Sequence, residues 1–172
     1  MSHLHWYRIC RALQNDTDAS NFVYDVHIYI TADSPIANLE LDSNQVTRIG
    51  DTIIYAFQCS GYSGYWGYTE NSGTVSAPKA HWLKSTQPCN LAKWTRNAWH
   101  HIQIQTSRDD SGNVTYHSVW FDGVEQPINK TVNSEFSLGW ALVCLVVNFQ
   151  VDGRDTSGAD TVYVDNLKMS RW

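Results

Sequence analysis

The stretch Phe22-Val23-Tyr24-Asp25-Val26-His27-Ile28-Tyr29-Ile30 alternates apolar and polar side chains along its whole length. A period of two is typical of a β-strand that buries one face and exposes the other to water. The Val, Ile and Tyr content also favours a strand. The side chains predicted to point away from the core are Asp25, His27 and Tyr29.

The same alternation recurs along the rest of the chain, and no long window carries a helical apolar stripe. Further strands are predicted at 37–41, 52–59, 100–106, 114–121, 142–151 and 161–168. Asp122-Gly123 indicates a tight hairpin, because glycine tolerates the positive φ that such turns require. Many short strands without helices predict an all-β fold: a two-sheet antiparallel β-sandwich.

Composition restricts the class of protein. The chain has 172 residues, 42% of them hydrophobic and 17% charged, which is typical of a folded globular protein. We expect a single domain over 1–172, with 1–20 as a strand or an extension. The net charge of −5 and the absence of a basic block disfavour nucleic acid as a partner. No apolar run approaches the roughly 20 residues of a membrane helix, so no membrane partner is expected.

Four cysteines are present. Cys59 and Cys89 lie in turn-like sequence on either side of a long Gly-, Ser-, Thr- and Tyr-rich segment, and we predict a disulfide between them. Cys144 lies in an apolar run and is predicted to be a buried thiol; its pairing with Cys10 is left open. No Cys-x-x-Cys or Cys-x-x-His spacing indicates zinc, so no metal site is expected. The disulfide and three Asn-x-Ser/Thr triplets favour an extracellular protein, although the chain does not begin with a signal peptide.

Polar side chains also alternate outward on three other predicted strands. They are Glu40 and Asp42, then His101, Gln103 and Gln105, and then Asn148, Gln150 and Asp152. If these strands share a sheet with the segment 22–30, one face carries carboxylates, amides, histidines and a tyrosine. Such a face suits sugar hydroxyls; the alternative is an ordinary hydrated surface.

Aromatic residues cluster between Cys59 and Cys89. The Gly-spaced run Tyr62-Ser63-Gly64-Tyr65-Trp66-Gly67-Tyr68 leaves little room to bury every ring, and Trp82 follows it. Flat rings of this kind stack on the apolar faces of sugars. We expect Trp66 or Trp82 to contact a ligand; the alternative is that both pack in the core.

Three motifs occur in an order that resembles the concanavalin A-like and laminin-G-like jelly rolls. They are Trp99-His100-His101-Ile102, Val119-Trp120-Phe121-Asp122-Gly123 and Tyr163-Val164-Asp165-Asn166-Leu167. Together with the Cys59 and Cys89 segments, the chain from about residue 21 onward looks most like secreted jelly-roll proteins of soil bacteria. The resemblance implies a jelly roll and a function among lectins, glycan-binding modules, glycosidases and polysaccharide lyases.

Glu40 and Asp42 match the first two acids of a Glu-x-Asp-x-(x)-Glu strand found in one group of retaining glycosidases within that superfamily. The third position departs from the pattern, because Asn44 and Gln45 stand where a glutamate is needed. An amide cannot act as a general acid, so Glu40 would need another carboxyl group, such as Asp25 or Asp152, opposite it.

The preferred interpretation is a lectin-like module that binds glycan on its concave sheet face and aromatic loop. The predicted ligand contacts are Asp25, Tyr29, Glu40, Asp42, Gln45, Trp66, Trp82, Gln103, Gln105, Asn148, Gln150 and Asp152. The alternative is a glycoside hydrolase, a lyase or a small-molecule enzyme in the same cleft, with Glu40 or Asp42 and His27 or His101 as acid and base. A third possibility is a structural surface module without a small ligand, which burial of the aromatic loop would favour.

No cofactor is expected apart from possible calcium. The turn Asp152-Gly153-Arg154-Asp155, with Asp160 or Asp165, offers oxygen ligands for Ca²⁺. The alternative is a hydrated turn.

Overall fold

The computed structural model describes residues 18–140, 144–154 and 159–172, together with the backbone of residues 7–11. These residues form strands and one short 3₁₀ turn at Leu91–Lys93. The strands are β1 (Tyr7–Arg11), β2 (Asn21–Ile30), β3 (Ile36–Val46), β4 (Thr52–Ser60), β5 (Tyr65–Asn71), β6 (Ala80–Pro88), β7 (Trp99–Arg108), β8 (Asn113–Phe121), β9 (Val124–Asn133), β10 (Glu135–Phe136), β11 (Leu145–Gly153) and β12 (Val162–Arg171).

The strands form two antiparallel sheets. The larger sheet has the order β1-β11-β3-β4-β5-β6, with β10 paired to β4, and the smaller sheet has the order β12-β2-β7-β8-β9. The predicted two-sheet antiparallel sandwich of the jelly-roll type is therefore confirmed. No helix among the described residues has the length and hydropathy needed to cross a bilayer.

The core lies between the sheets and consists of the side chains that point inward from each strand. The rings of Phe22 and Tyr55 meet across it with centroids 4.7 Å apart, and those of Tyr68 and Tyr116 are 5.1 Å apart. Trp66 also lies in this layer, where its Nε1–H donates to Gln126 Oε1 at 2.9 Å. Alternation along β2 is complete, since every second residue from Phe22 to Ile30 is buried.

Strands β5 and β6 are absent from the sequence predictions. The Gly, Ser, Thr and Tyr content of this segment is typical of a loop, and the aromatic residues of β5 lie together around Gly67 without alternating with polar residues. The predicted strand at 142–151 corresponds to β11, and Leu142 and Val143 lie outside the described residues.

The hairpin at Asp122-Gly123 is confirmed. Phe121 pairs with Val124, and Asp122 and Gly123 have φ values of 50° and 80°. Two consecutive positive φ values are those of a type I′ turn, whose twist matches that of the flanking strands.

The predicted disulfide is also confirmed. Cys59 and Cys89 are bonded, with Cα atoms 5.4 Å apart, so that β4 is tied to the chain directly after β6. This bond is compatible with an extracellular protein. Cys144 is buried, as predicted, whereas Cys10 is opposite Val146 in the register of β1 and β11 and its side chain lies outside the described residues.

Candidate functional site

The four strands with polar outer residues do not share a sheet. Strands β3 and β11 pair in the larger sheet, whereas β2 and β7 pair in the smaller one. The expectation of one common face is therefore wrong, because alternation indicates which residues point outward but not which strands are neighbours. Glu40 and Asp42 consequently cannot act with His27 or His101 in one cleft.

The sandwich instead has two polar outer faces. The carboxylate face belongs to the larger sheet and consists of Glu40, Asp42, Asn148, Gln150 and Asp152 with their cross-strand neighbours. The histidine face belongs to the smaller sheet and consists of Asp25, His27, His101, Gln103 and Gln105, with Tyr29 at one end.

One cross-strand row of the carboxylate face spans five strands. In order across the sheet it contains Gln150, Glu40, Gln58, Gly67 and Lys84. Gly67 is closely packed, since a Cβ atom at this position would lie 3.2 Å from both Gln58 Cγ and the Leu83 carbonyl oxygen. Gln58, whose side chain lies against this glycine, is only 7% exposed. The row is therefore polar on both sides of Gly67.

The next row contains, in order across the sheet, Arg8 of β1, Asn148, Asp42 and Ala56, so its β4 member is also small. On β6, two residues from Lys84, Trp82 is 41% exposed. Glu40 on β3 and Trp82 on β6 are separated by three strand spacings, which is about 14 Å. The face thus has acids and amides on one side, small residues in the middle and an exposed indole on the other side.

The surroundings of this face disfavour the ionised form of its carboxyl groups Glu40 and Asp42. Burial, together with the nearby Asp152, raises the pKa of Glu40 to about 7. Burial and the proximity of Glu40 raise the pKa of Asp42 well above its usual value, although the Phe57 amide, which donates to Asp42 Oδ1 at 3.3 Å, acts in the opposite direction. Among the described side chains, no cation forms a salt bridge with either group. At neutral pH the site therefore contains proton donors as well as acceptors.

Two side-chain amides donate hydrogen bonds to Asp152, the third acid of the carboxylate face. Asp152 accepts hydrogen bonds from Asn38 Nδ2 at 3.2 Å and from Gln150 Nε2 at 3.0 Å. The side-chain oxygens of Asn38 and Asn148 are buried without a hydrogen-bond partner. Asn148 is the cross-strand neighbour of Asp42, so a protonated Asp42 carboxyl would be a suitable donor for its oxygen.

The histidine face is more fully paired. His101 Nε2 and Asp25 Oδ1 are 2.7 Å apart, and Gln103 Nε2 donates to Asp25 Oδ2 at 2.8 Å. Burial alone would raise the pKa of Asp25, but these hydrogen bonds outweigh it and lower the pKa. The imidazole rings of His27 and His101 stack with centroids 4.3 Å apart. Tyr29 packs against Trp99 and Tyr163 at the end of the cluster.

Two predicted ligand contacts point away from both faces. Gln45 is fully buried, where its Oε1 accepts from the Tyr55 hydroxyl at 2.9 Å and from Arg108 Nε at 2.8 Å. Trp66 is 1% exposed and borders a groove of 460 Å³ beside Trp94, Phe121 and the disulfide. Both predictions are therefore wrong, because Gln45 and Trp66 are on the inward side of their strands and face the opposite sheet. Of the two tryptophans, only Trp82 can stack on a ligand at the outer face.

The run 62–68 is divided between surface and core. Tyr62 is exposed, Tyr65 is partly exposed, and Trp66 and Tyr68 are buried. Because β5 is a strand, its rings alternate between the interior and the outer face, which a loop assignment does not predict.

Two residues of the carboxylate face, Gln58 and Lys84, are missing from the sequence predictions. Gln58 could have been found from the alternation of β4, because Phe57 and Cys59 on either side of it point inward. Lys84 could not, because β6 is not recognisable as a strand. Lys84 Nζ lies 4.0 Å from the centre of the Tyr65 ring, so this cation is placed by a cation–π contact.

The possible calcium ligands are dispersed. Asp152 is held by the amides described above, and Asp165 lies on β12 in the smaller sheet, opposite His27. Asp160 is close to Gly153, where a Cβ atom would lie 2.5 Å from its Oδ2. Asp155 lies outside the described residues.

No protein-family model matches the sequence, and no curated protein matches it significantly. Solved structures with a similar fold include sheep galectin-11 in complex with glycerol, at 10% identity over 92% of this chain and 96% of that one, with a TM-score of 0.42. A carbohydrate binding module from Bacillus subtilis has 12% identity over 87% and 74% of the two chains, with a TM-score of 0.42. An alginate lyase from a Chlorella virus has 13% identity over 91% and 72%, with a TM-score of 0.47.

Proposed function

We propose that this protein binds neutral glycans through the carboxylate face. The observation that carries the proposal is the polar row Gln150, Glu40, Gln58, Gly67 and Lys84, with the exposed Trp82 two residues from Lys84 on β6.

The chemistry of this face matches that of a sugar ring. Carboxylates and amides offer paired acceptors and donors to adjacent hydroxyl groups. An exposed indole covers the apolar C–H face of the ring. The separation of about 14 Å between Glu40 and Trp82 exceeds the size of one sugar ring, so an oligosaccharide rather than a monosaccharide is the expected ligand.

The charge of the face favours a neutral ligand. The acids Glu40, Asp42 and Asp152 disfavour polyanions, and Lys84 lies three strands away from Glu40, on β6. A face whose acids are partly protonated also donates hydrogen bonds to sugar oxygens.

Affinity gel electrophoresis with neutral polysaccharides (β-glucans, xylans, mannans and galactans) tests the proposal. We expect retardation of the wild type, weaker retardation of Glu40→Gln, and a loss of at least tenfold in affinity for Trp82→Ala. Matched controls are Asp33→Asn in an exposed turn and Trp99→Ala on the histidine face, both of which should behave like the wild type. Equal retardation of wild type and Trp82→Ala, or loss of retardation in Trp99→Ala, would contradict the proposal.

An enzyme is the second candidate, and the raised pKa of Glu40 favours it. A carboxyl group that is half protonated near pH 7 is suited to general acid catalysis, and Asp42 and Asp152 are its neighbours on the same face. The same incubations should then yield new reducing ends or unsaturated products. Glu40→Gln would retain part of the binding in a lectin but would lose all turnover in an enzyme.

A further inference from the structure

The cluster on the smaller sheet brings three metal-ligating side chains together. Asp25 and His27 are alternate residues of β2, so both point outward, and His101 on β7 is directly opposite His27. A ligand atom from each of the three lies within 4.8 Å of one from each of the others.

This distance is close to that of a coordinated set. Zinc binds imidazole nitrogen and carboxylate oxygen at about 2.0–2.2 Å in tetrahedral geometry, which places neighbouring ligand atoms about 3.3 Å apart. The His27 and His101 rings are stacked with centroids 4.3 Å apart, so binding an ion requires at least one ring to rotate until both nitrogens point at it. The hydrogen bond between His101 Nε2 and Asp25 Oδ1, at 2.7 Å, would be replaced by two bonds to the ion.

The surroundings of the cluster support ligation. Gln103 donates to the second oxygen of Asp25, at 2.8 Å, and so orients the carboxylate while Oδ1 stays on the side of the histidines. His101 and Asp25 are 33% and 26% exposed, which leaves a path for an ion. His27 Nδ1, by contrast, is buried without a hydrogen-bond partner, so this ring nitrogen is not bonded to another described group.

We propose that Asp25, His27 and His101 form a binding site for a divalent transition metal ion, with Zn²⁺ as the expected occupant. Two imidazoles and one carboxylate suit zinc, whereas calcium and magnesium prefer oxygen ligands. Three protein ligands leave a fourth position for water or for a group of a bound molecule. The site lies on the opposite outer face from Glu40, so it is independent of the proposed glycan site.

Calorimetric titration of the metal-free full chain with ZnCl₂ tests this proposal. We expect one ion per chain, at least a tenfold loss of affinity in His27→Gln and in His101→Gln, and a smaller loss in Asp25→Asn. A parallel titration with CaCl₂ should show no saturable binding. Added Zn²⁺ should raise the melting temperature of the wild type by mass action and should not raise that of the histidine variants.

Two controls separate this site from other histidines. His81→Gln changes an exposed histidine of the larger sheet, and the double variant His3→Gln/His5→Gln removes a His-x-His pair that can bind metal by itself. Both should retain the wild-type affinity. Unchanged binding in His27→Gln, loss of binding in His3→Gln/His5→Gln, or no saturable binding by the wild type would each overturn the proposal.

Imidazole ¹⁵N resonances of the wild type give the answer if a histidine variant does not fold. Shifts of the His27 and His101 signals on addition of one equivalent of Zn²⁺ support the site. Shifts confined to the remaining histidines overturn it.

Discussion

The two outer faces of the sandwich are built by the same strand alternation and both carry acids, yet the environments of these acids differ. On the histidine face, Asp25 is bonded to His101 and Gln103, and its pKa is lowered. On the carboxylate face, Glu40 and Asp42 are buried beside each other, and the pKa of both is raised.

Asp25 has hydrogen-bond partners for its charge, whereas no cation among the described side chains forms a salt bridge with Glu40 or Asp42. A hydrogen-bonded aspartate stabilises the fold as an anion, whereas a carboxyl group whose pKa is raised destabilises the fold when it ionises. Carboxyl groups with strongly shifted pKa values cluster at binding and catalytic sites. The carboxylate face is therefore the stronger candidate for function, and four predictions test the contrast.

Removal of the disulfide should have the largest effect on stability. A crosslink that closes a loop of this length, with a sequence separation of 30, contributes about 3–4 kcal/mol in the chain-entropy model. Cys59→Ser/Cys89→Ser should lower the free energy of unfolding by this amount in urea titrations. Hydrogen exchange should show the loss of protection concentrated in β5 and β6, which carry Trp82 and Lys84. An equal loss in β2 and β7 would show that the histidine face depends on the disulfide to the same extent.

Glu40→Gln should stabilise the protein at alkaline pH. Because the folded-state pKa is raised from 4.5 to about 7, the favourable contribution of Glu40 is complete below pH 4.5 and is lost as the pH rises through 7. The variant should therefore be more stable than the wild type by about 1–3 kcal/mol at pH 8 and equal to it near pH 4. Denaturant unfolding at both pH values measures this. A variant less stable than the wild type at pH 8 would mean that the ionised Glu40 has a partner.

Asp25→Asn should lower the free energy of unfolding at neutral pH, in contrast to Glu40→Gln. The folded-state pKa of Asp25 is lowered, so its contribution is present above the usual value of 3.8 and is lost as the pH falls through the lowered value. The substitution weakens the hydrogen bonds with His101 and Gln103, and we expect a loss of about 1 kcal/mol at pH 7. The difference from the wild type should shrink in acid. A loss that does not depend on pH would point to altered packing rather than to charge.

Trp82→Ala should have the smallest effect on stability. The side chain is 41% exposed on the outer strand β6, so we expect a change below about 1 kcal/mol. Glycan retention should nevertheless fall, since the indole is proposed to stack on the ligand. Thermal unfolding and affinity gels of the same sample separate the two effects, and Trp99→Ala is the matched control. A large drop in stability would indicate a structural rather than a binding role.

Most of the strands could be predicted because their residues alternate strictly. In β2 and β4 every second residue is apolar, and the same alternation holds for Ala37, Leu39 and Leu41 of β3 and for Ile102 and Ile104 of β7. Each outward side chain named from the sequence on β2, β3 and β7, from Asp25 to Gln105, does point outward. The prediction failed for Trp66 and Gln45. Trp66 lies in a strand that was mistaken for a loop, and Gln45 shares the inward parity of Leu39 and Leu41 despite being polar.

The sequence could not indicate the metal cluster. Two of its ligands, Asp25 and His27, are two residues apart on β2. The third, His101, lies on β7, and no short sequence motif joins the three. Cysteine spacing, which was the basis for expecting no zinc, is uninformative about a site made of histidine and aspartate on paired strands.

The sequence by itself determined which side of each strand faces water, because the period of two assigns every side chain to one face without reference to neighbours. It also determined the hairpin at Asp122-Gly123 and the Cys59–Cys89 bond, which depend on local turn chemistry and a pair of turn-flanked cysteines. Only the tertiary structure decided that β3 pairs with β11 and β2 with β7. Strand pairing is a non-local choice that depends on how the whole core packs. This choice placed Glu40 and Asp42 on one face and His27 and His101 on the other.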